Sequence, residues 1–262
     1  MRVAHDDDLR FAHVLADDAD AQTLSRFRAE DLRIETKDDD TPVTDADRET
    51  EEAIRRTLSR ARPRDSIVGE EFGTDGYSAR RWVIDPIDGT KNYVRGVPVW
   101  ATLIALMVED KVMAGVVSAP ALNRRWWAAR GSGAWTGRSL SAASRCRVSD
   151  VASLAEASLS YSDLEEWESR GALPRFLDLT RACRRTRAYG DFWSYMLLAD
   201  GAVDIATEPE LALHDVAALI PIVEEAGGTF TDLAGKPAAY GAGAVATNGR
   251  FHDEVLAYLS AG

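Results

Sequence analysis

The chain is organised around the segment RWVIDPIDGTKN, which occupies residues 81–92. Its apolar run, residues 82–84, is short and bounded by turn-forming residues, a pattern that predicts a buried β-strand. The strand ends in two carboxylates, Asp85 and Asp88, three positions apart. The proline between them restricts the backbone, and Gly89 permits a tight turn or the close approach of a ligand. This strand end offers oxygen donors for a hard metal ion, beside which free backbone N–H groups can face an anion.

A second acidic cluster follows another short apolar run, residues 66–68. It consists of Glu70 and Glu71, which come directly after Gly69. Acidic residues, proline and glycine are also common in ordinary turns, so an isolated acidic turn would fit either cluster. Two strands that both end in carboxylates can, however, converge on one ion. The residues alone therefore leave an acidic turn and a metal site equally open.

The composition of the chain limits its size class and its partners. With 262 residues, 45% of them apolar, the chain can form one large domain or two small ones around a substantial core. The formal net charge of −12 makes nucleic acid a poor partner and suits the binding of cations. No apolar run approaches the roughly 18 residues that a membrane span needs. Because the N-terminus is too acidic for a targeting sequence, Cys146 and Cys183 are expected to be free thiols of a cytoplasmic protein.

The N-terminal half is predicted to contain two helices followed by strands. Apolar residues at helical spacing predict an amphipathic helix over residues 5–28. Thr44 and Asp47 fit an acidic capping box at the start of a second helix, which ends near Pro63. The polar residues 136–150 are predicted to form a surface connection. Mostly antiparallel strands are expected at residues 66–68, 82–84, 99–108, 112–118 and 125–129.

The C-terminal half alternates strands and helices, which predicts a layered α/β arrangement. Helices are expected over residues 162–182, with a break at Pro174, over residues 191–199, and from residue 214 to the glycine pair 227–228. Asn248 is predicted to cap a last helix. Short strands are expected at residues 157–160, 186–190, 203–206 and 244–247 and around residue 230.

Four segments resemble the motifs of the inositol monophosphatase superfamily, in the family's order. They are Gly69-Glu70-Glu71, WVIDPIDGT at residues 82–90, DVAA at residues 215–218 and EAGG at residues 225–228. The resemblance extends over nearly the whole chain and implies a Mg²⁺-dependent, lithium-sensitive phosphomonoesterase. It also implies an α/β (α+β) fold, a layered αβαβα sandwich that assembles as a homodimer. We accordingly expect one unit over residues 1–262, with an N-terminal α+β part to about residue 150 and a C-terminal α/β part from about residue 151.

The resemblance also implies a set of metal ligands. These are the carboxylates of Glu70, Asp85, Asp88 and Asp215 and the backbone carbonyl of Ile87. Oxygen donors are the ligands that Mg²⁺ prefers, and the family implies two or three Mg²⁺ ions, with Asp85 bridging two of them. For Asp215 taken alone, the alternative is a simple helix cap.

Hydrolysis in this superfamily is implied to proceed by in-line attack of water, without a covalent intermediate. Thr90 would orient the water and help to deprotonate it, with Asp45 hydrogen-bonded to the Thr90 hydroxyl, and Glu70 would take part in catalysis as a metal ligand. The backbone N–H groups of Gly89 and Thr90 would bind the phosphate. His214 stands where the family usually has Trp, which leaves the local packing and the leaving-group selectivity open.

Substrate choice must come from residues outside the metal ligands. The family usually has small residues where this chain has Asp191, and Glu208 matches an acidic substrate contact of the family. Additional carboxylates suit a cationic alcohol better than a neutral polyol. Asp191 could instead be a helix N-cap, and Arg187 could pair with Asp191 or reach a partner subunit.

Three segments resemble the actinobacterial histidinol-phosphate phosphatases of histidine biosynthesis. They are NYVRGVPVWA at residues 92–101, RRWWAARG at residues 124–131 and RAYGDF at residues 187–192. This resemblance implies histidinol phosphate as the substrate, bound through its ammonium and imidazole groups by Asp191 and Glu208, with Arg187 as a further contact. The alternative enzymes are an inositol-1-phosphate phosphatase or another small-molecule phosphatase of the superfamily. A metal-binding regulator without catalysis is the alternative outside the enzymes, and the presence of Thr90 and Asp45 argues against it.

Overall fold

The computed structural model describes residues 5–37, 41–238 and 243–260, and within them the chain forms nine α-helices and fifteen β-strands. The helices are α1 (Asp6–Arg26), α2 (Asp45–Ala61), α3 (Thr90–Val94), α4 (Glu165–Ser169), α5 (Leu173–Ala182), α6 (Asp191–Ala199), α7 (Leu213–Ala217), α8 (Leu219–Glu225) and α9 (His252–Ser260). The strands are β1 (Ile34–Thr36), β2 (Pro42–Thr44), β3 (Ser66–Gly69), β4 (Gly73–Asp75), β5 (Arg80–Asp88), β6 (Ala101–Val108), β7 (Lys111–Ala119), β8 (Arg124–Ala129), β9 (Ala134–Ser139), β10 (Ala142–Arg145), β11 (Ser158–Ser160), β12 (Arg185–Arg187), β13 (Ile205–Glu208), β14 (Thr229–Thr231) and β15 (Ala244–Thr247).

Eight strands form the larger sheet, in the order β10-β9-β8-β7-β6-β5-β3-β4. Neighbouring strands are antiparallel except β3 and β5, which are parallel. The strands predicted at residues 99–108 and 112–118 form a hairpin of β6 and β7, in which Thr102 pairs with Ser118. Because parallel strands end at the same edge of a sheet, the acidic residues that follow β3 and those that end β5 are brought together.

The two faces of the larger sheet pack against different helices. Along β5, Trp82 and Ile84 face α1 and α2, whereas Val83 faces α6 and α8. All three side chains are almost completely buried. Since helices cover both faces, the central strands are apolar throughout, which is why they are recognisable in the sequence as short apolar runs.

Five strands form the second sheet, in the order β12-β11-β13-β15-β14. Ala206 and Ala246 on one face share a core with α6, α8 and the larger sheet. Leu159, Ile205 and Val245 on the other face pack against α4, α5 and α9. The layers are therefore α1–α2, the larger sheet, α6–α8, the smaller sheet, and α4–α5 with α9. This is the αβαβα sandwich that the family resemblance implies.

Three local predictions differ from the structure. Residues 136–150 are not only a connection, because β9 and β10 extend the larger sheet from the edge of β8, which offers unpaired backbone groups. The break expected at Pro174 within residues 162–182 is present but lies at residues 170–172, because Pro174 is in the first turn of α5, where its missing N–H costs nothing. Asn248 does not cap α9. Its amide donates to Ser149 and Val151 instead and ties the connecting segment to the smaller sheet.

The start of α2 and the cysteines agree with the predictions. Thr44 and Asp47 form the capping box: the Asp47 N–H donates to the Thr44 hydroxyl, and the Asp47 carboxylate accepts from the Thr44 N–H at 2.8 Å. Cys146 and Cys183 are both free thiols. Within the described ranges, none of the helices has the length and apolarity needed to cross a bilayer.

Candidate active site

Asp85 and Asp88 face the same space because β5 contains a bulge. In a regular strand, residues three apart point to opposite faces of the sheet. Here Asp85 pairs with Leu103 and Asp88 pairs with Ala101, so three steps along β5 match two steps along β6. The extra residue falls in the segment 86–87, and a bulge is one of the few places where a strand tolerates proline. The bulge therefore turns the second carboxylate toward the first.

Asp215 joins these two side chains from α7, which is distant in sequence. Each of the three carboxylates offers one oxygen, and these oxygens lie within 4.8 Å of one another. The Asp215 carboxylate accepts a hydrogen bond of 2.6 Å from the N–H of Ala212, just before α7. The Asp88 carboxylate accepts one of 2.7 Å from the N–H of Phe192, at the start of α6. Backbone donors at the starts of two helices thus orient two of the three side chains.

Glu70 lies beside this group on the turn that follows β3. Its N–H donates to the carbonyl of Ile84 at 3.2 Å, which joins the turn to the end of β5. Its carboxylate accepts a hydrogen bond of 2.6 Å from Lys37 Nζ. The backbone carbonyl of Ile87 belongs to the same site. All five predicted metal ligands line one cavity of about 580 Å³, here called the carboxylate cavity.

Glu51 on α2, which the sequence analysis did not single out, holds this turn in place. Its side chain is fully buried, and its carboxylate accepts from the N–H of Glu71 at 2.7 Å and from the N–H of Phe72 at 3.2 Å. Arg55 pairs with it at 2.7 Å. A Cβ at Gly69 would overlap the Glu51 carboxylate. The glycine of the Gly-Glu-Glu motif therefore makes room for the side chain that fixes the turn.

Burial and mutual repulsion dominate the electrostatics of the carboxylate cavity. Burial raises the pKa of Asp85 well above its usual range, and the charges of Glu70, Asp88 and Asp215 raise it further. Burial also raises the pKa of Asp88, with Asp191 as the largest neighbouring charge. Among the described residues, Asp85 Oδ1 has no hydrogen-bond partner. An all-oxygen donor set with so much unbalanced negative charge fits hard divalent cations.

Asp47, rather than Asp45, lies next to Thr90, so the predicted hydrogen bond from Thr90 to Asp45 is wrong. The Thr90 hydroxyl has two acceptors for its single proton, the carbonyl oxygen of Ile87 at 2.8 Å and Asp47 Oδ1 at 3.4 Å. The Asp45 carboxylate accepts from Arg26 at 2.9 Å instead. The reason lies in the capping box, because the carboxylate at the third helical position turns back toward the Thr44 cap and so toward Thr90. Burial raises the pKa of Asp47 to about 7.

A second cavity, of about 400 Å³ and here called the side cavity, opens next to the first. Asp88, Asp191 and Asp215 line both cavities. Glu208, at the end of β13, lines the side cavity and is only 4% exposed. Burial raises the pKa of Glu208 well above its usual range and the charge of Asp191 adds to this, whereas the Ser162 hydroxyl lowers it. The predicted substrate residues Asp191 and Glu208 therefore do lie together beside the predicted metal ligands.

Asp191 lies at the junction of the two cavities. It is the first residue of α6, and its φ of +49° is in the left-handed region, which costs a non-glycine residue roughly 1 kcal/mol. Its N–H donates to the Ser162 hydroxyl at 3.0 Å, and its carboxylate accepts from Asn92 at 3.3 Å. The carboxylate does not cap α6, so the helix-cap alternative is not what the structure shows. Burial raises the pKa of Asp191 to about 6, although Lys91 acts in the opposite direction.

Arg187 lies outside both cavities, and the predicted pairing with Asp191 is not formed. It is on β12, the edge strand of the smaller sheet, and its side chain is exposed. Its guanidinium donates to the carbonyl of Thr186 at 2.7 Å. β12 ends at Arg187, and the side cavity is lined by Ala188, Tyr189 and Gly190, which follow it. Within one chain Arg187 lines neither cavity, so the geometry does not support its predicted role as a substrate contact.

His214 lines the carboxylate cavity next to Asp215. Its Nε2 lies 3.5 Å from Asp215 Oδ1. Burial raises the pKa of Asp215, and the proximity of His214 lowers it. The residue that replaces the family's Trp therefore modulates the charge of a predicted metal ligand.

Two acidic residues of the side cavity, Asp163 and Glu166, were not predicted from the sequence. Glu166 is on α4 and Asp163 directly precedes that helix. Acidic residues are common at helix starts, where the helix dipole favours them, so nothing in the sequence marked this pair. Their proximity to Glu208 depends on the packing of α4 against the smaller sheet, which is a tertiary contact.

The comparisons with known proteins agree with this geometry. The model of the inositol monophosphatase family matches residues 5–261. A histidinol-phosphatase from Streptomyces coelicolor is 62% identical over 258 residues, which cover 97% of this chain and 97% of that protein. A histidinol-phosphatase from Mycobacterium tuberculosis is 56% identical over 257 residues, covering 98% of this chain and 99% of that protein. The solved structure of an inositol monophosphatase from Zymomonas mobilis has a TM-score of 0.87 at 32% identity and covers 99% of this chain and 100% of its own. The chain therefore belongs to the inositol monophosphatase family.

Proposed function

We propose that this protein is a Mg²⁺-dependent phosphomonoesterase that hydrolyses L-histidinol phosphate to L-histidinol and inorganic phosphate. The observation that carries the proposal is the junction of two acidic cavities at Asp191. Clustered oxygen donors on one side suit a metal-bound phosphate ester, and further carboxylates on the other side suit a cationic alcohol. The similarity to two histidinol-phosphatases over nearly the full length supports the same substrate.

In this proposal, the carboxylate cavity holds two or three Mg²⁺ ions. Glu70, Asp85, Asp88, Asp215 and the carbonyl of Ile87 are the ligands. When bound, Mg²⁺ lowers the pKa of a coordinated water and offsets the charge of the phosphoryl group. Without cations, the charges of these residues would repel a phosphate, so the same carboxylates make substrate binding depend on the metal.

Thr90 and the residues that contact it position the attacking water. Water attacks phosphorus in line with the ester oxygen, the bond from phosphorus to that oxygen breaks, and the departing alcohol takes a proton. The Thr90 hydroxyl, fixed by Asp47 and by the carbonyl of Ile87, orients the water, and Asp47 is suited to accept its proton through Thr90 because its pKa is close to neutrality. The N–H groups of Gly89 and Thr90 at the start of α3 have no intrahelical acceptor and bind the phosphate.

Gly89 keeps this phosphate contact accessible. Its φ is +85°, a conformation that side chains rarely adopt, and a Cβ there would lie 3.1 Å from the carbonyl oxygen of Val99 and 3.3 Å from Asp191 Oδ2. A larger residue would therefore strain the turn and press on the neighbouring substrate carboxylate. Glycine at this position therefore allows the phosphate-binding N–H groups and the Asp191 carboxylate to lie close together.

Asp191 and Glu208 select the alcohol in this proposal. Both carboxylates are largely buried and carry raised pKa values, so a cationic group beside them is favourable and a neutral one is not. Histidinol phosphate supplies an ammonium group and an imidazole. An inositol phosphate would supply hydroxyl groups alone, which satisfy hydrogen bonds without balancing the charge.

A phosphate-release assay tests the proposed function. The kcat/KM in the presence of Mg²⁺ is compared for histidinol phosphate, inositol-1-phosphate, fructose-1,6-bisphosphate and 3′-phosphoadenosine-5′-phosphate, with and without lithium. We expect the highest value for histidinol phosphate and inhibition by lithium. A higher value for inositol-1-phosphate would replace the proposal with an inositol phosphatase. No release from any ester would favour a metal-binding regulator without catalysis.

We also propose that the chain acts as one phosphatase unit in the cytoplasm and assembles as a homodimer. The core shared by α6, α8 and both sheets supports a single unit, because neither sheet could bury that face alone. Light scattering in solution tests the assembly. A mass of one chain, rather than twice the 28.6 kDa of the chain, would refute the dimer.

A further inference from the structure

The side cavity continues past Asp191, away from the metal ligands. The residues that line it without also lining the carboxylate cavity define its far end. Those used below are Ser162, Asp163, Glu166, Tyr195 and Glu208. A substrate with its phosphoryl group among the metal ligands would reach this far end with the part of the alcohol most distant from the ester. The phosphoryl chemistry described above assigns no role to the acidic residues 163 and 166.

Two buried polar groups at the far end have no partner. Glu208 is 4% exposed and Tyr195 is 1% exposed. Among the described residues, neither Glu208 Oε1 nor Tyr195 Oη has a hydrogen bond of good geometry, although the two side chains lie close enough to interact with each other. The two side chains are neighbours, because the charge of Glu208 adds to burial in raising the pKa of Tyr195. Buried polar groups are normally paired, so this floor of the cavity points to a ligand that supplies a hydrogen-bond donor.

Two further carboxylates form a wall of the far end. Asp163 Oδ1 accepts a hydrogen bond of 3.0 Å from the N–H of Glu166, which fixes the start of α4. Trp167, which follows Glu166, is buried in the core between the smaller sheet and the helices α4, α5 and α9. It stacks on Phe176 with ring centroids 4.4 Å apart. This packing anchors α4, which holds the half-buried Glu166 at the cavity. Glu166 is also one of the charges that raise the pKa of Glu208.

Positive charge near the far end is limited. Glu210 lines the side cavity but forms an ion pair with Arg170. Among the described residues that line the side cavity, Lys91 is the one cation, and it lies at the junction because it lines both cavities. A single lysine there does not balance the three carboxylates of the far end. The far end is therefore suited to a group that donates hydrogen bonds and carries positive charge.

We propose that the far end is an imidazole subsite, in which Glu208 and Glu166 accept hydrogen bonds from the two ring nitrogens of an imidazolium, while Asp191 at the junction binds the ammonium group. The inference rests on the proposed function. In histidinol phosphate the ammonium group is on the carbon next to the ester CH₂, and the ring is one carbon further away. This order matches the order along the cavities: metal ligands, Asp191, far end. A protonated imidazole donates through both nitrogens, which suits two carboxylates that line the same cavity.

Four phosphate esters separate the two subsites. Histidinol phosphate has both groups, 3-(imidazol-4-yl)propyl phosphate lacks the ammonium group, O-phosphoethanolamine lacks the ring, and β-glycerophosphate lacks both. Each is assayed with the wild-type enzyme and with Glu166→Gln and Asp191→Asn. Glu165→Gln is the matched control, because it removes the same charge from an exposed neighbouring position on α4. Thermal unfolding of each variant verifies that it is folded.

We expect Glu166→Gln to lower the ratio of kcat/KM for histidinol phosphate to that for O-phosphoethanolamine by roughly 10-fold or more, since a charge-assisted hydrogen bond to the ring is lost. Asp191→Asn should instead lower the ratio of kcat/KM for the esters with an ammonium group to kcat/KM for the esters without one. Glu165→Gln should change neither ratio. The subsite would be refuted if Glu166→Gln lowered kcat/KM equally for all four esters, or if it left the kcat/KM ratio of histidinol phosphate to O-phosphoethanolamine unchanged. A wild-type enzyme that hydrolyses β-glycerophosphate as well as histidinol phosphate would refute the proposed function itself.

Discussion

The carboxylate cavity and the side cavity are both acidic, but the chain builds them differently. In the carboxylate cavity, Asp85, Asp88 and Asp215 lie at the end of a strand and in the first turn of a helix, and backbone N–H groups orient two of them. In the side cavity, Asp191 has a left-handed backbone, and Glu208 has a buried oxygen without a partner. The first arrangement fixes three oxygens within 4.8 Å, as metal binding requires. The second arrangement provides charge that a ligand must balance, as substrate discrimination requires.

The largest expected effect is the loss of a carboxylate from the carboxylate cavity. Asp88→Asn should lower kcat/KM by at least about 1,000-fold on every ester, because charge stabilisation at the phosphoryl group is lost whatever the alcohol. The measurement is phosphate release from histidinol phosphate and from β-glycerophosphate at limiting and saturating Mg²⁺. Uniform loss distinguishes this cavity from the side cavity, where losses depend on the ester.

Asp253→Asn is the control for this prediction, since Asp253 is an exposed carboxylate on α9, far from both cavities in the layered fold. It should retain wild-type activity. Wild-type activity of Asp88→Asn at limiting Mg²⁺ would remove Asp88 from the metal ligands.

The next effect concerns two aspartates in the first turn of α2. Asp47→Asn should lower kcat by about 100-fold, because a neutral amide cannot accept the proton that the attacking water passes on through Thr90. Asp45→Asn, which loses only the pairing with Arg26, should stay near the wild-type rate. The measurement is kcat at saturating substrate and Mg²⁺, with the melting temperature of both variants. A larger loss from Asp45→Asn would restore the original assignment of Asp45.

These two cavities also show what the sequence could predict. The predicted metal ligands came from the family resemblance, because the residues alone fitted an acidic turn as well as a metal site, and Asp215 alone fitted a helix cap. The bulge in β5 and the parallel pairing of β3 and β5, which bring these carboxylates together, were not predicted. The assignment of Asp45 as the partner of Thr90 is wrong, although the capping box of Thr44 and Asp47 is present as predicted. No local pattern connects that box with Thr90, more than forty residues later.

The side cavity was predictable only through the family pattern, which Glu208 matches and from which Asp191 departs. Asp191 stood out because small residues are usual there, whereas Glu166 looks like any acidic residue at a helix start. Similarly, the strands β9 and β10 have weak intrinsic preference and form because the edge of β8 is available. Such features depend on tertiary contacts, which a local pattern does not encode.

A smaller effect tests how the turn that carries Glu70 is held. Glu51→Gln should raise the Mg²⁺ concentration for half-maximal activation roughly 10-fold, because a glutamine cannot accept from both backbone N–H groups of the turn and also pair with Arg55. Calorimetric titration with Mg²⁺ measures the same shift without substrate. Glu52→Gln, an exposed neighbour on α2, is the control and should bind Mg²⁺ normally. If Glu51→Gln lowers the melting temperature but binds Mg²⁺ normally, the role of Glu51 is structural only.

The smallest expected effect is on stability, and it concerns the repulsion within the carboxylate cavity. A carboxylate whose pKa is higher in the folded than in the unfolded protein favours folding at low pH, and this contribution is lost as the pH rises through the folded value. Burial and like charges raise the pKa of Asp85 and Asp88, and burial raises that of Asp47 to about 7. Without divalent cations, the free energy of unfolding should therefore fall between about pH 6.5 and pH 8.5, by on the order of 1 kcal/mol for each carboxylate that releases its proton in that range.

The lower limit of that range matters because burial lowers the pKa of His13 to about 4 from its ordinary 6.5, which makes stability rise with pH below that value. Urea unfolding at about pH 6.5 and pH 8.5, in EDTA and then in saturating Mg²⁺, measures the slope of the free energy of unfolding against pH. Mg²⁺ should flatten it, since bound cations take the place of protons, and Asp88→Asn should reduce it in EDTA. Glu166→Gln should leave most of the slope in place, because its carboxylate is only half-buried and belongs to the other cavity. A slope that neither Mg²⁺ nor Asp88→Asn changes would mean that the repulsion does not lie among the predicted metal ligands.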